Sequence, residues 1–412
     1  MNGRTGLAGL FACLTAMSAA GAGSLDLQRQ IDDAVRAGGG RVTVPKGVWE
    51  TGRLMLGSNL ELHLEDDAVL AFDERPESYL PMVRTCWQGE ETMNLSPLVY
   101  AYGATNVAIT GRGMLKVGNA AWQAWHRSTG GRRPHFVQFY CCRNVRLRDF
   151  SIRGTPFWTL HLYRTDDVAI DRLDISAYDD AGLALANSDG IDVECSRHVR
   201  IRGCSFRQND DSIVIKSGRD VAGIRRGIPS EDILIEDCRI HGGRTSLLSI
   251  GSEVGGGVRN VTMRNCTADD ELNSMLFVKT NAKRGGFIED ITFEKCVAER
   301  VRHAAVCLLA DYWYCPRPGT KFLRRTPIRN LTVRDIRLTS CARAVDLRGD
   351  PELPVCGVTI DGVRADTVSE RMFAIANVED VRISGISVKH PPRLPLDEND
   401  PSRGGQESDP TE

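Results

Sequence analysis

A nine-residue phrase returns along most of this chain, and few folds can accommodate it. It reads NVRLRDFSI at 144–152, DVAIDRLDI at 167–175, HVRIRGCSF at 198–206, DILIEDCRI at 232–240 and NVTMRNCTA at 260–268. It continues as DITFEKCVA (290–298), NLTVRDIRL (330–338), GVTIDGVRA (357–365) and DVRISGISV (380–388), with an earlier version, NVAITGRGM, at 106–114. Apolar and polar residues alternate in each copy, the period of a strand with one face buried. Copies begin 23 to 40 residues apart, as expected when strands are fixed and the loops between them vary. A repeated unit of roughly 20–50 residues marks a solenoid or a propeller. The shorter spacings leave no room for a four-stranded blade, only for two or three short strands per turn. The expected fold is therefore all-β, a parallel β-helix.

Such a coil explains a second feature. Asn187–Gly218 carries two acidic knots, Ser-Asp-Gly and Asn-Asp-Asp, with Asp189 and Asp211 22 residues apart. One turn of about that length returns the chain to the same place one rung higher, roughly 4.8 Å away. Asp189 should lie beneath Asp211, with Asp210 alongside. Carboxylates gathered this way repel each other and raise at least one pKa, which marks chemistry or a bound cation more often than a set of Asx turns. Aligning DGIDVE (189–194), DSIVIK (211–216), SLLSIG (246–251) and SMLFVK (274–279) gives an apolar inward ladder: Ile191/Val193, Ile213/Ile215, Leu248/Ile250 and Leu276/Val278. The outward ladder then brings Lys216 and Lys279 near the carboxylates, to bind an acidic substrate or to neutralise Glu194.

The chain has 412 residues and a formal net charge of -2, which argues against nucleic acid or an anionic membrane as partner. Residues 1–22 have one Arg, an apolar run from Leu7 to Met17 and small residues up to Ala22, the pattern of a secretory leader. Export to the periplasm or the medium is expected. Cys204, Cys238, Cys266 and Cys296 occupy one position of the phrase, 28 to 34 residues apart. That is too far for metal-ligand pairs and suits small buried apolar side chains. Disulfide pairing among Cys86, Cys141, Cys142, Cys307, Cys315, Cys341 and Cys356 stays open. Leu25, Leu27, Ile31, Ala34 and Val35 make Ser24–Ala37 an amphipathic helix suited to capping the open end of the coil. The expected organisation is a leader (1–22), one β-helical catalytic domain (23–390) and an acidic tail (391–412) whose composition is that of disorder.

The order NSDGID, NDDSIVIKSG, SIGSE and a VKT strand resembles the polygalacturonases, family 28 of the glycoside hydrolases. TPFWTLH (155–161), RTCWQGEETMNLSPLVYAYG (84–103), KRGGFIEDI (283–291) and VPKGVWETGRLMLGSNLELHLEDDAVL (44–70) extend the match across roughly residues 25 to 390. It is nearest to bacterial exo-acting, pectin-degrading members. The resemblance implies a right-handed parallel β-helix and inverting hydrolysis of a galacturonate-containing polysaccharide or oligosaccharide. Asp210 would protonate the leaving oxygen, while Asp189 and Asp211 would activate water. It implies no metal and no cofactor, and a monomer is expected.

Two departures stand out. The family's Gly-His-Gly before the SIGS strand is replaced by GGRTSLLSIGSE (242–253), which puts Thr245 or Ser246 where its His stands. Its Arg-x-Lys becomes Phe277-Val278-Lys279, and Phe cannot imitate a guanidinium fork. Phe277 would instead stack on a sugar ring or be a single exposed apolar residue. Lys279, Lys216, Arg244 and Phe277 are therefore the candidate substrate-binding residues, with specificity altered toward a less acidic pectic fragment. A β-helical carbohydrate-binding protein that has lost hydrolysis is the alternative; a calcium-dependent pectate lyase is a third, against the motif order. Trp87, Trp122 and Trp125 would wall a sugar site or pack on the coil, packing being expected for two of them. Tyr312 and Trp313 would close one end of a cleft.

Overall fold

The computed structural model describes residues 23–24, 26–313 and 324–392. The expected leader, Cys315 and nearly all of the expected tail lie outside them. Each phrase forms two strands around a corner, as in Arg197–Arg202 and Ser205–Arg207, and a third strand, here Ile213–Lys216, follows before the next copy. Each of these strands pairs in parallel with its counterpart one turn on. The result is a right-handed parallel β-helix with three faces. Ile328–Arg348 and Val355–Ala376 bend continuously around all of them.

The corners explain residue choices that alternation alone does not. The first and sixth residues of the phrase hold positive φ: Asn144 54° and Asp149 73°, Asn260 52° and Asn265 56°, Gly357 73° and Gly362 84°. Asn, Asp and Gly adopt this left-handed conformation at little cost, so they recur at both places. The seventh position is the inner corner. Phe150, Leu173, Cys204, Cys238, Cys266, Cys296, Ile336 and Val363 are buried there. The four cysteines are free, and each directs its thiol at the carbonyl two residues back. They are small core side chains, as expected. All described cysteines are free.

Outside, the fifth position of the first face alternates in charge from rung to rung. Arg148, Asp171, Arg202, Glu236, Arg264, Glu294, Arg334 and Asp361 are successive neighbours. Cross-strand pairs of opposite charge stabilise such a ladder, and like charges in apposition destabilise it.

The helix Leu27–Arg36, capped by Asp26, buries Leu27 and Ile31 against the first turn. Gln28 exchanges two hydrogen bonds with the backbone of Met55, closing that end. No helix among the described residues is long and apolar enough to cross a membrane.

The third face carries the site. Its strands include Leu160–Tyr163, Ile191–Glu194, Ile213–Lys216, Ser246–Gly251 and Ser274–Lys279. The long connections fall on either side of it. Segments entering the face include 73–98, with the antiparallel hairpin Val83–Trp87/Glu90–Asn94, and 177–190. Segments leaving it include 217–229 and 252–257. The two sets of loops make the walls of a cleft whose floor is the sheet.

Candidate active site

The register on the third face is the expected one. Ile191 pairs with Ile213, Val193 with Ile215, Leu248 with Leu276 and Ile250 with Val278. Just ahead of these strands Gly190 N–H donates to Asp211 O at 2.9 Å, so the two acidic knots stack. One carboxylate oxygen from each of Asp189, Asp210 and Asp211 lies within 4.8 Å of the others. They open into a cleft of about 200 Å³, also lined by Gln88, Trp158, Asn187, Lys216, Glu253, Lys279, Tyr312 and Trp313.

The three carboxyls are treated differently. Burial pushes Asp211 up, but Lys279 Nζ at 2.7 Å and Ser249 Oγ, donating at 2.6 Å, outweigh it and hold the group below its usual range. Asp210 is raised, by burial first and then by Asp211. Its Oδ1 accepts from the Asp211 N–H at 3.0 Å. Asp189 is raised well above its usual value by burial, against the pull of Lys216 3.2 Å away. Among the described residues, its buried Oδ1 has no hydrogen-bond partner.

Lys216 is not an exposed substrate-binding cation. Its Nζ lies 3.2 Å from Asp189 Oδ2 and 2.9 Å from Asp192 Oδ1, with the Trp158 ring centred 3.6 Å away. Lys279 is committed to Asp211, beside the rings of Phe277 and Tyr312 at 5.0 and 5.7 Å. Phe277 is half-buried and packs edge-on against Tyr312, 5.8 Å between centroids. It backs the cleft wall and does not line it. Arg244 is exposed and stands apart from the cleft lining. It sits on the turn before Thr245, whose hydroxyl faces inward. Thr245 Oγ1 accepts from the Ser212 N–H at 2.7 Å and contacts its hydroxyl at 2.8 Å. The place expected for a histidine thus anchors the backbone next to Asp211.

The aromatic walls are Trp158, Tyr312 and Trp313. Trp122 is buried against Tyr79, Trp125 packs on Trp122, and Trp87 stacks on Phe157. None of these three lines the cleft, one more packing tryptophan than expected.

Sequence reasoning passed over a buried layer beneath the aspartates. Gln138, His161 and Asp192 are successive neighbours on one outward column of the third face. His161 Nδ1 accepts from Gln138 at 2.9 Å and its Nε2–H donates to Glu194 Oε2 at 3.0 Å. Burial drives His161 well below its usual pKa, so it is neutral. Burial also lifts Glu194 and Asp192 to about 7 each, against Lys216. The outward ladder that located the lysines also held Asp192 and Glu194. What it lacked was the knowledge that this outward face is covered by loops.

The model of "Glycosyl hydrolases family 28" matches residues 42–388. A probable polygalacturonase of Vitis vinifera is 26% identical over 341 residues, 79% of this chain and 67% of that protein. Endopolygalacturonase A of Aspergillus niger is 24% identical over 66% of this chain and 69% of its own length. Among solved structures, a hyperthermoactive exopolygalacturonase from Thermotoga maritima superposes with a TM-score of 0.73 at 33% identity, covering 88% of this chain and 84% of that one. A family 28 exopolygalacturonase of Yersinia enterocolitica gives 0.75 at 17% identity, over 90% and 72%, and speaks for the fold alone.

Proposed function

The chain belongs to family 28 of the glycosyl hydrolases and is a glycosidase, and from that premise we propose that it hydrolyses galacturonate-containing pectic chains from an end, with Asp210 as general acid and Asp189 and Asp211 as the pair that activates water. The observation that carries this reading is the opposite treatment of adjacent carboxyls: Asp211 is held low by Lys279 while Asp210 is pushed up. Neighbouring titratable groups driven apart in this way divide into an acid and a base. Asp210 keeps its proton for the glycosidic oxygen; Asp211 is ionised and accepts one from water.

The carboxyl oxygens lie within 4.8 Å, closer than the roughly 6.5–9.5 Å usual for an inverting pair. Inversion therefore rests on the family resemblance, with Asp211 taking the proton from water and Asp189, whose pKa burial raises, helping to position that water. The exo mode is supported by the relative from Thermotoga maritima, an exopolygalacturonase, and by Tyr312 and Trp313 standing at the cleft. Altered specificity is supported by Phe277 and Thr245, which carry neither the guanidinium nor the imidazole expected there. The same two residues favour a non-hydrolytic binder, and the intact trio of aspartates opposes it. Calcium-dependent elimination is the poorest fit to the donor set, since Asp189 and Asp211 each give an oxygen to a lysine. Export is part of the proposal, and sequencing the mature N-terminus checks it.

The deciding experiment is reducing-sugar release from pectic oligosaccharides by wild type and Asp210→Asn, with the first-formed anomer read by NMR. Loss of ~10²–10⁴ in kcat with retained binding is the size expected for a missing general acid. Binding without turnover in both proteins would leave a lectin-like protein, and a retained anomer would replace inversion by double displacement.

A further inference from the structure

The charge ledger of the cleft says more about the substrate than the aspartates do. Among the described residues, the carboxyls lining it are Asp189, Asp210, Asp211 and Glu253, and the cations are Lys216 and Lys279. Neither lysine is left over. Lys216 is held between Asp189 and Asp192 under Trp158, and Lys279 is 2.7 Å from Asp211. Glu253 is held below its usual range against burial by Lys216 first, and then by Arg284 and Arg219 behind it. Both are engaged with the buried Asp220, Arg284 at 2.9 Å and Arg219 at 3.5 Å. In the lining, carboxyl groups outnumber ammonium groups four to two, and each lysine already has a carboxyl within 3.2 Å.

A uronate carboxylate entering this cleft would add a further negative charge where the cations are already matched. It would also raise the cost of ionising the base on which the reaction depends. The apolar side of the cleft points the same way. Tyr312 and Trp313 line it with ring centroids 6.0 Å apart, and Phe277 packs behind Tyr312. Aromatic surface of this kind receives a methyl group and offers nothing to a carboxylate.

We propose that the sugar seated against Lys279, Tyr312 and Trp313 is bound as a neutral uronate, the methyl ester of galacturonate, in preference to the free acid. This rests on the pectic reading above and assigns the charge state of the substrate that reading leaves open. An ester carbonyl still accepts a hydrogen bond from the Lys279 ammonium, and its methyl meets the rings.

The test compares kcat/KM on oligogalacturonides of one length, fully methyl-esterified against fully de-esterified, at low and moderate salt. Wild type should favour the ester by tenfold or more, and salt, which screens charge repulsion, should narrow the gap. Phe277→Arg, which sets a guanidinium beside Lys279, should lower the ester-to-acid ratio at least tenfold. Phe277→Leu should leave it near the wild-type value. The wild-type ratio decides the proposal even if the arginine variant does not fold. Faster cleavage of the free acid overturns it while the pectic reading stands. Cleavage of neither, with both bound, overturns both.

Discussion

Replacing Lys279 with methionine removes one partner of the Asp211 ion pair and keeps most of the stem that packs beside Phe277 and Tyr312. The ammonium stands 2.7 Å from Asp211 Oδ2, where opposite charges attract by about 6 kcal/mol at an effective dielectric near 20. Solvent relaxation returns part of that, and breaking a buried pair costs about 3–5 kcal/mol in practice. Three kcal/mol is a factor of ~100 or more in the ratio of ionised to protonated carboxyl. In the wild type the folded-state pKa of Asp211 is depressed. The pair's stabilisation is therefore present above the unfolded value and lost as pH falls through the folded one. In Lys279→Met burial is opposed only by Ser249 and the more distant Lys216, so the carboxyl keeps its proton to higher pH. Two readouts follow. Urea unfolding at pH 7 should show the variant less stable by about 3–5 kcal/mol, with the gap closing as pH falls toward 4. The acid limb of kcat/KM should move upward, so that the variant is most impaired at low pH and recovers as pH rises. A uniform loss of activity at every pH, or an unchanged unfolding midpoint at pH 7, would refute the assignment of Asp211 as a base ionised by Lys279.

Glu194, lifted to about 7 by burial, should make wild type lose about 3 kcal/mol between pH 4.5 and 8, because a raised folded-state pKa stabilises only below it. Glu194→Gln should remove that part of the slope in paired urea titrations, and an unchanged slope would place the titration elsewhere. Glu236→Arg puts like charges at three successive rungs, with Arg202 below and Arg264 above; a loss of about 1–2 kcal/mol is expected, and adding Arg264→Glu should restore part of it. Thiol titration of the denatured, unreduced protein should find at least the eleven cysteines that are free here, with reductant leaving the unfolding midpoint unmoved. Fewer thiols would mean disulfides.

The sequence by itself determined the coil, its inward ladder and the stacking of Asp189 on Asp211. All three follow from contacts one turn apart, and a repeated phrase encodes such contacts wherever it occurs. The left-handed corners are equally local, written mostly as Asn, Asp or Gly at two positions of the phrase, with His198, Arg172 and Lys295 the exceptions. Tertiary structure alone decided how the charges are shared. Lys216 is one rung from Glu194 in register, yet its flexible stem carries the ammonium to Asp189 and Asp192. Variable loops decided which aromatics face the cleft: Trp158, Tyr312 and Trp313 line it, while Trp87, Trp122 and Trp125 pack elsewhere. Arg244 and Thr245 are neighbours in sequence, but the turn sends one into solvent and the other under the backbone beside Asp211. Alternation fixes which side of a strand a residue takes. It does not say what lies over that side, and the chemistry of this site depends on that cover.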